Sequence, residues 1–191
     1  MSTSVAAEYA SLREKDEIRL LDLLPGSGSE PIRCTLRHVK LSDSIQYEAL
    51  SYAWGTDTDA KEILIDSKAR LIRQNLWFAL KYLRKRGVPR VLWIDALCIN
   101  QTDDGERGHQ VRQMGTIYSC ATSVCVWLGL PDSSSYGAMM MLRETPTFDS
   151  MRSSFTADRF KWHSVARLFE RQYWTRLWII QEIVLAAKVN V

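Results

Sequence analysis

What the chain lacks narrows its chemistry first. The four cysteines, Cys34, Cys98, Cys120 and Cys125, form no C-x-x-C pair, and His38, His109 and His163 stand at no metal-ligand spacing. That pattern disfavours a zinc site or a disulfide framework and leaves free thiols in a reducing compartment as the expectation. Charge of one sign is missing too. The 25 basic and 22 acidic residues leave a formal +3, with no basic stripe, so no nucleic-acid partner is expected, although the slight excess favours an anionic ligand. No apolar run is long enough to span a bilayer; the best, Leu177–Ala187, is interrupted by Gln181 and Glu182. Residues 1–10 lack the apolar core of a signal peptide, and a cytoplasmic location follows as the expectation. There is no G-x-S-x-G elbow, no Walker A lysine motif and no G-x-G-x-x-G. The Gly26–Ser29 stretch lacks a following Gly-Lys and reads as a flexible turn. A serine hydrolase, kinase or dinucleotide oxidoreductase of standard type is disfavoured.

What is present suits one globular domain. A chain of 191 residues with 46% hydrophobic residues can bury a sizeable core. Residues 1–16 are polar and expected to be flexible; residues 17–191 read as a single domain. Ile18–Leu24 and Ile32–Leu36 look like short strands, Tyr47–Trp54 is an extended run ending at Gly55, and Glu62–Ile65 with Ala69–Ile72 reads as a hairpin. Leu76, Ala79, Leu80 and Leu83 share one helical face, and Gly87 and Pro89 end that helix. Arg90–Asp95 reads as a buried strand and Ala96–Gly105 as a loop. Glu106–Cys120 reads as a helix with Val111, Met114, Ile117 and Tyr118 inward, and Ser123–Leu128 as another strand. Gly137–Leu142, Trp162–Arg171 and Tyr173–Ala187 read as helices, with a variable loop at Thr145–Asp158. Alternating strands and helices imply an α/β fold with a mainly parallel sheet covered by helices on both faces.

In such a sheet, ligands bind beyond the carboxyl ends of the strands. The Tyr47–Trp54 run delivers Ser51, Tyr52, Trp54 and Gly55 to that rim; the Arg90–Asp95 strand delivers Asp95 and a loop carrying Asn100, Gln101, Asp103 and Arg107. For each residue alone there is a plainer alternative: Asp95 and Asn100 cap a turn, and Trp54 plugs the sheet edge. Convergence of two blocks on one rim is what favours a site. A third block places Trp174, Trp178 and Glu182 at i, i+4 and i+8, along one helical stripe. A carboxylate walled by indoles is costly to ionise unless a cation compensates, and it suits a site that binds a flat ring and stabilises a developing cation. The alternative is that both tryptophans are core and Glu182 pairs with a basic neighbour such as Arg176.

Three motifs resemble a known family. They are Tyr47-Glu-Ala-Leu-Ser-Tyr-Ala-Trp-Gly55, Leu92-Trp-Ile-Asp-Ala-Leu-Cys-Ile-Asn-Gln101 with Glu106-Arg107, and Arg176-Leu-Trp-Ile-Ile-Gln-Glu182. Together with Ala121–Gly129 they resemble, in order and over residues 47–187, the HET (heterokaryon incompatibility) domain of filamentous fungi. The resemblance implies an effector module of non-self recognition and programmed cell death, usually part of a larger protein. HET domains are remotely similar to TIR domains, which implies a flavodoxin-like strand order, here with an extra N-terminal strand pair and a helical insertion at Pro131–Arg171. In TIR enzymes that cleave NAD, the catalytic glutamate follows a tryptophan by four positions, as Glu182 follows Trp178. The first-strand serine of that group corresponds to Ser51. The resemblance therefore implies NAD hydrolysis at the nicotinamide–ribose bond, with Glu182 catalytic, Trp54 or Trp178 stacking on a base and Arg107 meeting the pyrophosphate. NAD is the candidate substrate and no cofactor is expected. The alternative is a non-catalytic TIR-like module that signals by self-association, with exposed tryptophans as interface anchors.

Overall fold

The structure is a computed structural model that describes residues 9–56, 58–145, 147, 149–152 and 159–191, with the side chains of residues 159–161 outside the description. These residues fall into two compact units. One comprises the chain up to Trp127 together with Leu177–Val191, and the other is Leu128–Arg176.

The larger unit is built on a sheet of eight strands among the described residues: β1 Glu17–Leu23, β2 Arg33–Lys40, β3 Glu48–Tyr52, β4 Lys61–Ile65, β5 Lys68–Ile72, β6 Arg90–Trp93, β7 Ser123–Trp127 and β8 Val189–Asn190. Their spatial order is β5-β4-β2-β1-β6-β3-β7-β8. The β6-β3-β7-β8 half is parallel throughout, and its strands taken in chain order run second, first, third, fourth. That is the flavodoxin-like order, with its switch point where β3 lies between β6 and β7. β1 and β2 form the expected extra antiparallel pair, and β1 joins it to the parallel half through an antiparallel edge with β6. The β4–β5 hairpin turns at Asp66 (φ 49°) and Ser67 (φ 64°), the pair of left-handed residues that matches a tight hairpin to strand twist.

Four consecutive residues of β3, Ala49 to Tyr52, are buried, as are four of β7, so both faces of the central strands are covered. The helices are α1 Gln74–Leu83, α2 Asp95–Cys98 and α3 Asp104–Cys120. α1 buries Leu76, Ala79 and Leu80, the face its period predicts. α3 starts where the Asp103 carboxylate accepts from the Glu106 N–H at 3.0 Å. It buries Gln110, Met114, Ile117 and Tyr118; Val111, expected inward, is only half-buried. Gln110 takes the inward place because its amide donates to the Glu17 carbonyl at 3.0 Å. The most polar part of this core is Arg19, 1% exposed, which grips Glu106 with both terminal nitrogens at 2.6 and 2.9 Å. It also donates to the carbonyls of Cys98 and Ala10.

Several boundaries differ from expectation. The buried strand ends at Trp93 rather than Asp95, and the expected loop Ala96–Gly105 begins with the single helical turn of α2, too short to show a period in sequence. The extended run Tyr47–Trp54 pairs only over Glu48–Tyr52, and β2 runs on to Lys40 through the mostly polar Arg37-His38-Val39-Lys40. Of the expected flexible residues 1–16, the first eight lie outside the described residues. Tyr9 donates to the Leu97 carbonyl at 3.0 Å, and Ala10 is held by Arg19.

The second unit contains the expected insertion. Helices α4 Ser135–Glu144 and α5 Arg159–Phe169 pack Ala138, Met141, Val165 and Leu168 into one cluster, with Trp162 and Leu142 against it. Part of the expected loop Thr145–Asp158 lies outside the described residues. A 3-10 turn, Gln172–Thr175, closes the unit, with the Trp174 indole donating to the Leu168 carbonyl at 3.0 Å and its ring against Phe169 and Tyr173.

The continuous helix expected over Tyr173–Ala187 is not formed. Arg176 is extended (φ −85°, ψ 130°), and a short helix α6, Ile179–Val184, begins only after Trp178. The stripe of Trp174, Trp178 and Glu182 is therefore broken. Trp174 is committed to its own aromatic cluster, while Trp178 and Glu182 stay one turn apart through the Glu182 N–H to Trp178 carbonyl bond at 3.1 Å.

Candidate functional site

The carboxyl end of β3 carries two different arrangements, because neighbouring strand residues point to opposite faces. On one face, Ser51 donates its hydroxyl to the carboxylate of Glu182, 131 residues further along the chain. Both side chains are completely buried, at 0% exposure. A serine hydroxyl meeting a carboxylate is a charge-assisted bond, stronger than a neutral one. α6 delivers Glu182 inward while Leu177, Trp178, Ile180 and Val184 of the same segment are 84, 50, 64 and 73% exposed. Half-exposed, Trp178 is therefore not a core side chain.

On the other face, Tyr52 helps to floor a cavity of about 220 Å³ with Leu76 and Leu97; Trp54, Arg73 and Gln101 stand around it. The Trp54 indole N–H donates to Asp95 Oδ2 at 2.8 Å, and the Arg73 guanidinium lies over the indole at 5.0 Å. Asp95 also accepts from the Ala96 N–H through Oδ1, and its carbonyl accepts from the Gln101 amide at 2.8 Å. The first turn of α2 therefore locks Asp95, and Asp95 fixes the plane of Trp54. Gly55 turns the chain away with φ 75°, a left-handed conformation that a side chain would strain, and its carbonyl approaches Arg73 at 3.5 Å.

The remaining expected site residues serve the backbone. Asn100 accepts from the Thr102 N–H and hydroxyl through its side chain, while its own N–H binds Glu106. Asp103 caps α3, as described. Arg107 donates to the Gln101 carbonyl at 3.0 Å and pairs with Asp104 at 2.7 Å. The two tryptophan-marked rim blocks thus do meet, through Trp54, Asp95 and Gln101, but Asn100, Asp103 and Arg107 shape the loop and do not line the cavity. Glu182 does not line it either.

Sequence reading missed Arg70 and Arg73, the cations of this cavity, and Asn75. Asn75 donates to the Ala53 carbonyl at 2.6 Å and accepts from the Trp127 indole at 2.9 Å, tying the ends of β3 and β7 at the switch point. Its only sequence signal is position, at the start of a helix that follows a strand. At the start of α3 the electrostatics are set by Glu106. Burial works against its ionisation, but the Arg19 fork and the Asn100 N–H outweigh it and hold the carboxyl below its ordinary value. Burial raises the thiols of Cys34 and Cys98 to about 12, which leaves them un-ionised and unsuited to nucleophilic work.

Comparison with known proteins adds a decisive observation: the profile of the heterokaryon incompatibility protein (HET) family matches residues 47–182, from the start of the β3 block to Glu182. The chain belongs to the HET family. Among curated proteins it is similar to heterokaryon incompatibility protein 6, OR allele, of Neurospora crassa, with 32% identity over 217 aligned residues. That alignment covers 89% of this chain but 32% of the relative, so the chain spans about a third of that protein's length. No solved structure gives a significant match. The HET match begins at Tyr47 and ends at Glu182, so it takes in β3, the Trp54–Asp95 rim and the buried Ser51–Glu182 pair, and leaves β1 and β2 outside. No helix among the described residues is long and apolar enough to cross a membrane.

Proposed function

We propose that this HET domain is an effector of fungal non-self recognition and programmed cell death, acting in the cytoplasm as a module of a larger protein, and that it acts by hydrolysing NAD at the nicotinamide–ribose bond. The observation that carries the chemistry is the Ser51–Glu182 pair, placed by two distant blocks at the carboxyl end of the switch-point strand. In the reaction the C1′–N bond to nicotinamide breaks, the bonding pair leaves with nicotinamide, and water adds to C1′ with loss of a proton. The ribose passes through a cation-like state, as in glycoside hydrolysis. Glu182 stabilises that cation, and Ser51 holds the carboxylate in one orientation. The opposite facing of Ser51 and Tyr52 suits a dinucleotide. A base in the cavity beside Trp54, near Arg73, and a ribose at Glu182 lie on the two sides of one sheet edge, the crevice where dinucleotides cross. Because Glu182 is fully buried, turnover requires α6 to move outward before ribose can reach it.

The test is release of nicotinamide from NAD by purified protein at high concentration. Glu182→Gln is expected to lower turnover by at least about a hundredfold. Turnover that survives this substitution removes Glu182 from the mechanism, and no turnover by the parent protein removes the hydrolase.

The exposed apolar face of α6 favours a second reading, self-association without catalysis. Leu177, Trp178, Ile180 and Val184 present a large apolar surface within one short segment, with an aromatic anchor of the kind interfaces use. Cell killing that survives Glu182→Gln but is lost, together with assembly, in Ile180→Lys supports this reading. Killing that persists in Ile180→Lys counts against it.

A further inference from the structure

The near-balance of charge over the whole chain conceals a one-sided stretch. Between Ser67 and Ile94 fall 8 of its 25 basic residues and none of its 22 acidic ones, which leaves 17 basic against 22 acidic in the remainder. Most of the 8 are engaged where they stand. Arg84 donates to the carbonyls of Glu30 and Pro31 and shares the space beside Gly26 with the Glu30 carboxylate. Arg90 pairs with Glu48, and the guanidiniums of Arg70 and Arg73 lie over the rings of Tyr9 and Trp54. Lys68 belongs to β5, the edge strand of the sheet. Lys81, Lys85 and Arg86 remain, in the last turn of α1 and just beyond it. All three are exposed, and none makes an ion pair among the described residues.

Aromatic rings accompany these cations. Phe78, Lys81 and Tyr82 stand at i, i+3 and i+4, on the side of α1 turned away from its buried Leu76, Ala79 and Leu80. Trp77 meets Phe78 edge-on at 5.3 Å and carries the Lys81 ammonium over its ring at 4.8 Å. Tyr82 lies against Trp127, the last residue of β7, at 5.2 Å. Tyr82 is 60% exposed, whereas Trp77, Phe78 and Trp127 are half-buried.

Exposed cations set among aromatic surface, with no acid in the same segment, complement a ligand that carries carboxylates beside an apolar side chain. The cations steer and orient such a ligand, and an exposed tyrosine backed by a second ring can anchor it. A lipid surface fits less well. Three of the four rings are half-buried and offer flat contact rather than side chains to sink among acyl chains, and the apolar face of α1 is spent on the core. Three cations within six residues are also too local to follow a row of nucleic-acid phosphates.

We propose that the outer face of α1, with Trp127 and the Lys85–Arg86 turn, is a docking surface for an acidic segment of a partner protein, its carboxylates flanking an apolar residue. None of these side chains lines the cavity beside Trp54, and docking here is independent of whether NAD is cleaved.

Selection from a displayed library of random short peptides on the whole chain tests it, beside a parallel selection on the triple variant Lys81→Glu, Lys85→Glu, Arg86→Glu. The three positions are exposed, so the variant should keep its fold, checked by circular dichroism and melting temperature; Lys85→Glu alone serves if the triple variant melts early. The parent chain should enrich peptides with aspartate and glutamate around an aromatic or aliphatic residue, and the variant should not. In fluorescence anisotropy the leading peptide should bind the variant at least about tenfold more weakly, through like-charge repulsion, and Tyr82→Ala about tenfold more weakly, through loss of the anchor. No acidic enrichment, the same peptides won by the variant, or an affinity unchanged in Tyr82→Ala overturns the proposal. Phosphatidylserine vesicles or duplex DNA that bind more tightly than the peptide, and lose binding in the triple variant, also overturn it and assign the face to lipid or nucleic acid.

Discussion

Replacing Glu106 by glutamine should cost far more stability than a glutamate in the first turn of a helix would suggest. The substitution keeps the side-chain volume but removes the charge opposite Arg19, whose own side chain is 1% exposed and cannot turn to water. Glu106 is itself about nine-tenths buried and does three things at once: it accepts both terminal nitrogens of Arg19 and the Asn100 N–H. Removing one partner of a buried pair strands the other charge, at a cost of about 3–5 kcal/mol. The amide can still accept one of the bonds, which argues for the lower end, about 3 kcal/mol. For a chain of this size each kcal/mol shifts the melting temperature by roughly 2–4 °C, so a drop of roughly 6–12 °C is expected. Urea unfolding followed by fluorescence is the assay, given seven tryptophans. The acid limb adds an independent check. A carboxyl held below its ordinary value of 4.5 in the fold stabilises fully above that value, and the contribution is lost as pH falls toward the folded value. The parent protein should therefore lose stability on acidification below about 4.5 more steeply than Glu106→Gln. A variant within about 0.5 kcal/mol of the parent, with an unchanged acid limb, would refute the reasoning, since that is the size of an ordinary surface substitution.

Three further outcomes are expected. Iodoacetamide at pH 8 should label Cys120, which is exposed, well before Cys34 or Cys98, whose buried thiols sit near 12; early modification of either buried thiol by mass spectrometry would contradict this. Gly129→Ala should destabilise by about 1–2 kcal/mol in a denaturant melt although the space around it is open, because φ 101° is the obstacle; a neutral result would count against that backbone conformation. Trp54→Phe keeps an aromatic ring but removes the hydrogen bond to Asp95. It should weaken NAD binding by several-fold in calorimetry, and an unchanged affinity would take the cavity out of the proposed nucleotide site.

What could be read in the sequence was whatever depended on local pattern. The Leu76, Ala79, Leu80 face marked α1, short apolar runs marked β6 and β7, and residue order allowed a flavodoxin-like sheet. The rim was legible as far as Trp54, Asp95 and Gln101, because strand ends position side chains in a predictable place. The break before α6 was not. Gln172 to Glu182 contains no proline or glycine, and the chain kinks at Arg176 because Tyr173 and Trp174 are drawn into an aromatic cluster with Phe169. Propensity yielded there to packing. Arg19–Glu106 was invisible for a related reason: 87 residues separate the partners, and nothing near either one announces the other. The Ser51–Glu182 bond spans 131 residues: strand-end and helix-spacing arguments singled out each residue, but nothing local to either one pairs them.

The two-sided end of β3 also bears on which changes this domain can survive. Its register against β7 runs from Glu48–Ser123 to Tyr52–Trp127, five residues with no bulge to absorb a slip. Deleting one residue from β3 would exchange the faces of Ser51 and Tyr52, driving a phenol toward Glu182 and a small hydroxyl into the floor of the cavity. Substitutions disturb one side of the sheet at a time, but a single-residue deletion would disable both together. Length variation among functional relatives should therefore gather in the segments between strands, and β3 should keep its length even where its side chains drift.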